Sequence, residues 1–91
     1  MPYITKDDRQ KLMFVESAIE DSPPQTAGEL QYLIAVMIHY YVKDQGLRYQ
    51  TCNDIMGALT GANQEFYRRF VAEYEDSKIR ENGDVYYPVY E

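Results

Sequence analysis

The run from Leu30 to Val42, LQYLIAVMIHYYV, limits the fold more than any other part of this chain. Its apolar residues at 30, 33, 34, 37, 38 and 41 share one helical face, and Ala35, Val36, Tyr40 and Val42 make the opposite face nearly as apolar. A helix that is apolar all round has to be covered all round. About a dozen residues fall short of the ~20 that a bilayer crossing needs, so the cover has to be protein, and no membrane partner is expected.

Ninety-one residues predict a single domain, 1–91. A domain of this size buries only about 60–65% of the surface its unfolded chain exposes. One cysteine makes no internal disulfide, and one histidine with one cysteine makes no four-ligand zinc site, so no metal and no cofactor is expected. Oligomerisation is then the remaining source of stability. Met1 to Asp8 carries no apolar run behind a basic start, which predicts no signal peptide and a cytoplasmic protein. The net charge of −6 repels phosphate backbones, so DNA is a disfavoured partner. Ten tyrosines without a tryptophan favour interfaces and ligand pockets, because tyrosine buries area and keeps a polar tip.

Thr5, Thr26 and Thr51 each stand three residues before a carboxylate, at Asp8, Glu29 and Asp54, and each precedes a helical apolar pattern. This is the capping-box spacing, and it predicts three helix starts. The first helix is expected over about 6–20, ended by Pro23-Pro24, with Leu12, Val15 and Ile19 in line. The second is expected over 27–45, with Gly46 past its end and Leu47 folding back on Val42. The third is expected over 52–80, where Cys52, Ile55, Leu59, Ala62, Phe66 and Phe70 keep one stripe and Tyr67, Val71 and Tyr74 add another. At roughly 45 Å it overhangs the others, which points to a second subunit packing on it. A break near Thr60-Gly61 that folds it back is the alternative. Gly57 and Gly61, four apart, predict close approach of the second helix. The fold class is therefore all-α: three antiparallel helices, the third long, with an extended aromatic tail over 83–91.

Tyr67, Arg68, Arg69 and Tyr74 form the candidate ligand site, because a guanidinium beside two tyrosines can clamp a phosphate and stack a base. The bland alternative is an ion-pair ladder, with Glu65 and Glu73 each four residues from Arg69 and Arg68 less neutralised. Val36, His39 and Tyr40, together with Phe70 and Val71, are the candidate oligomer interface. His39 has no nucleophile in register, and Cys52 reads as a small buried residue starting the stripe. No phosphate loop, metal spacing or catalytic dyad is present in the sequence, so no catalytic residue is assigned. A helix-turn-helix is the competing reading of the third segment, with Asn53 to Leu59, a turn at Thr60 to Asn63, and Gln64 to Phe70.

The blocks Met1-Pro2-Tyr3-Ile4, Gly28-Glu29-Leu30-Gln31-Tyr32, Asn53 with Gly57 and Leu59, Phe66-Tyr67-Arg68-Arg69, and Tyr74-Glu75-Asp76 through Ile79 to Glu81-Asn82-Gly83-Asp84-Val85-Tyr86 resemble a family of small, largely uncharacterised helical proteins of bacteriophages and prokaryotes. The resemblance implies no established activity. It implies only a phage or mobile-element setting, where small acidic helical proteins act by binding; the function expected from this is a non-enzymatic, homo-oligomeric accessory protein that interferes with a host defence system, by binding a host protein or sequestering a nucleotide signal. A DNA-binding regulator and a virion structural or assembly protein are the alternatives.

Overall fold

The computed structural model describes residues 4–86. Every regular element among them is helical: α1 (Lys6–Gln10), α2 (Met13–Asp21), α3 (Ala27–Gln45), α4 (Tyr49–Phe66), a π turn (Tyr67–Val71) and α5 (Ala72–Asn82). The chain divides into two units between Cys52 and Asn53.

In the first unit two of the three expected caps form. Thr5 Oγ1 accepts from the Asp8 amide at 3.1 Å and Thr26 Oγ1 from the Glu29 amide at 3.0 Å. Glu29 reaches back in turn, its Oε1 accepting from the Gln25 amide at 2.9 Å. The expected first helix is in two pieces. The Leu12 amide donates to the Arg9 carbonyl at 2.9 Å, a tighter closure than the α pattern, and Leu12, at φ −104° and ψ 3°, stands outside the helix before α2 begins. The second helix spans the expected residues.

The junction after α3 differs from expectation. Gly46 has φ 82°, which glycine adopts without strain, and its amide donates to the Val42 carbonyl at 2.7 Å. Its ψ of 151° carries the chain away extended, so Leu47 does not fold back and is 77% exposed. The next helix starts at Tyr49, which places Thr51 inside its first turn rather than at its cap. There Thr51 Oγ1 donates to the Gly46 carbonyl at 2.7 Å, and Thr51 is the one buried residue among those described. Cys52 beside it is exposed, not the buried start of a stripe.

In the second unit α4 continues through Thr60 and Gly61, with no break and no helix-turn-helix turn. The irregularity comes later. The Ala72 amide donates to the Tyr67 carbonyl five residues back, one more than the α pattern, and the added residue rotates the following helix by about 100°. After α5, Gly83 has φ 86°, and Asp84 Oδ1 accepts from the Tyr86 amide at 3.0 Å, a side-chain turn. The Met1-Pro2-Tyr3 opening and the aromatic tail beyond Tyr86 lie outside the described residues.

No apolar side chain among the described residues is buried. Leu33, Ile34, Val36, Ile38 and Val42 of α3 reach half-burial, while Leu30 and Met37 are 51% and 54% exposed. Among the described residues, then, neither unit holds a fully buried apolar side chain. At Gly57 an added Cβ would meet nothing within 4 Å.

Candidate functional site

The π turn lies on the sequence block singled out above. It holds Tyr67, Arg68, Arg69, Phe70 and Val71, and α5 follows it with Tyr74. A groove of about 750 Å³ opens in the second unit, lined by Tyr67, Tyr74 and Tyr86 together with Glu75, Asp76, Asp84 and Lys78. Two of the four expected ligand residues, Tyr67 and Tyr74, are thus brought to one surface. Arg68 and Arg69 are not part of that lining.

The electrostatics of the groove are set by its acids. The Tyr67 hydroxyl donates to Glu75 Oε1, and this bond, with the negative charge of Glu75, holds the Tyr67 hydroxyl above its ordinary pKa. Lys78 Nζ stands 5.5 Å from the centre of the Tyr74 ring, a cation–π distance, and pairs with Glu81 at 3.3 Å. Three carboxylates therefore face one ammonium across a tyrosine-walled surface. Arg68 is tied to Glu65 at 2.6 Å, so the arginine that spacing leaves less neutralised is the one that forms the pair.

The candidate interface residues fall in two places. On α3, Val36 is half-buried, Tyr40 is 60% exposed, and the exposed His39 meets the Tyr40 ring edge-on at 4.9 Å. In the π turn, Val71 is half-buried and Phe70 stacks on Phe66 at 5.3 Å with 61% of its surface open. Sequence reasoning missed Glu75, Asp84 and Tyr86 as groove residues. The Asn82-Gly83-Asp84 turn signal was a usable pointer to the last two. Glu75 had none, because its alignment with Tyr67 depends on the π turn.

No group of histidine, cysteine and carboxylate side chains that could hold a metal ion exists among the described residues, and no described helix is long and apolar enough to cross a membrane. The fold and groove together define the class, an all-helical protein with a tyrosine and carboxylate surface beside a π turn. The chain belongs to the family described as the domain of unknown function DUF6899, whose model matches residues 1–85. No curated protein and no solved structure matches it.

Proposed function

We propose that this is a non-enzymatic binding protein that works as a homo-oligomer, a phage-type accessory protein of the host cytoplasm that interferes with a host defence system. In this reading the antiparallel three-helix arrangement is completed across copies. Of the two modes of interference, occupying a host protein and sequestering a nucleotide signal, the geometry favours the first. The observation that carries this is the groove lining: Glu75, Asp76 and Asp84 repel phosphate, while tyrosine faces beside carboxylates suit a lysine or arginine side chain. The unbroken course of α4 through Thr60 to Asn63 supports this over a DNA-binding regulator.

The test is a nuclear magnetic resonance titration of the full chain with an oligolysine peptide and, separately, with a panel of cyclic oligonucleotides. The peptide is expected to move the ring signals of Tyr67, Tyr74 and Tyr86, and the nucleotides to leave them in place. Perturbation by nucleotides alone would reverse the assignment in favour of signal sequestering. Co-purification with virions would favour the assembly protein.

A further inference from the structure

The uncovered apolar surface needs an occupant. Ten phenylalanine and tyrosine rings are between 39% and 88% exposed, which at ~200 Å² per ring is roughly 1,300 Å² of aromatic surface in each chain. A standard stable interface takes about 800 Å² per partner, of which the Tyr32 and Tyr40 rings of α3, 67% and 60% exposed, supply roughly 250 Å². Among the described residues neither unit buries an apolar side chain, so each unit presents apolar surface for which a partner is favourable. Another copy of the chain can be that partner.

One side of α3 carries a pattern that says where such a copy sits. Glu29, Tyr32, Val36, Tyr40 and Lys43 follow one another at intervals of three, four, four and three, which places them within about 80° of one another around the helix. The stripe is symmetric about Val36: a tyrosine four residues away on either side, then an acid at the helix start and a base at its end. Tyr32 is 67% exposed and Tyr40 60%, and Lys43 Nζ already stands over the Tyr40 ring at 5.9 Å. Glu29 spends one carboxylate oxygen on the Gln25 amide and keeps the other for a second contact.

We infer that a second copy of this chain packs its α3 antiparallel against this stripe, across a two-fold axis at Val36. Antiparallel pairing about that residue sets Val36 on Val36, Tyr32 on Tyr40 of the second copy, and Glu29 on Lys43 of the second copy, each heterotypic contact made twice. Had the two charges been of one sign, the same pairing would repel at both ends. This inference rests on the homo-oligomeric part of the proposed function and not on what the groove binds.

The test combines native mass spectrometry, light scattering and circular dichroism of the full chain with three variants. The wild type is expected as an even-numbered oligomer. Val36→Cys in a Cys52→Ser background should close a disulfide between copies on mild oxidation, because its two sulfurs meet at the axis. Lys43→Glu should weaken association about tenfold, and Glu29→Lys combined with Lys43→Glu should restore most of it. A wild type that is folded and monomeric overturns both self-association and this seam. An oligomer of odd number, or one that neither cross-links at position 36 nor recovers in the double variant, overturns the seam and leaves self-association standing.

Discussion

The Tyr67 hydroxyl donates to the carboxylate of Glu75, eight residues further along the chain, and the π turn between them brings the two side chains into line. In a regular α-helix residues eight apart point about 80° away from each other, and the one added residue removes most of that angle.

This pairing has a pH signature. The raised Tyr67 pKa means the folded state holds that proton more tightly than the unfolded chain. Its contribution to stability is present below the ordinary tyrosine range and is lost as pH rises through the raised value. In an ultraviolet phenolate titration one tyrosine should ionise later than an ordinary tyrosine, and Glu75→Gln should return it toward the ordinary range. A late-titrating tyrosine that persists in Glu75→Gln would place the cause elsewhere.

Thr51 offers a second measurement. Its buried hydroxyl satisfies the Gly46 carbonyl, so Thr51→Val, which keeps the shape, should cost about 1–3 kcal/mol by leaving that carbonyl unmet. Thr51→Ser, which keeps the donor, should cost less. Urea melts at one fixed protein concentration compare them.

The two caps should be unequal. Thr26→Ala removes the cap of a nineteen-residue helix and should cost about 1 kcal/mol. Thr5→Ala removes the cap of a five-residue helix and should be barely measurable in the same melts, since so short a segment adds little to the global transition.

Two glycines should respond with opposite sign. Gly57 lies within α4 with open space where a Cβ would go, so Gly57→Ala should raise the thermal midpoint by an amount worth up to about 1 kcal/mol. Gly46 holds φ 82°, so Gly46→Ala should lower the midpoint by an amount worth roughly 1 kcal/mol. A fall for Gly57→Ala would mean that a neighbouring backbone fills that space in the assembled protein.

What the sequence made legible was local. The ends of α3 followed from Thr26, Glu29 and Gly46, because caps act within four residues and need no knowledge of the rest of the fold. Thr51 had the same spacing yet became a latch on Gly46, since two extra helical residues before it changed its place in the turn. The break at Leu12 has no proline or glycine to announce it. The π turn is equally silent in composition, and with it went the alignment of Glu75 under Tyr67. Tyr67 and Tyr74 were found by residue type, but the anion-binding role assigned to them took the neighbouring arginines as partners, and the groove is lined by acids instead. The apolar girdle of α3 was plain in the sequence; the structure half-buries Leu33, Ile34, Val36, Ile38 and Val42 and leaves Leu30 and Met37 about half exposed.

That open girdle sets what a calorimeter would register. The heat-capacity increment of unfolding comes from apolar surface newly wetted, and among the described residues neither unit keeps an apolar side chain fully buried. A lone copy would therefore melt gradually, with a shallow trace and little step in baseline. A sharp endotherm with a large increment would be a property of the surfaces that molecules share, and its midpoint would climb as the solution is made more concentrated.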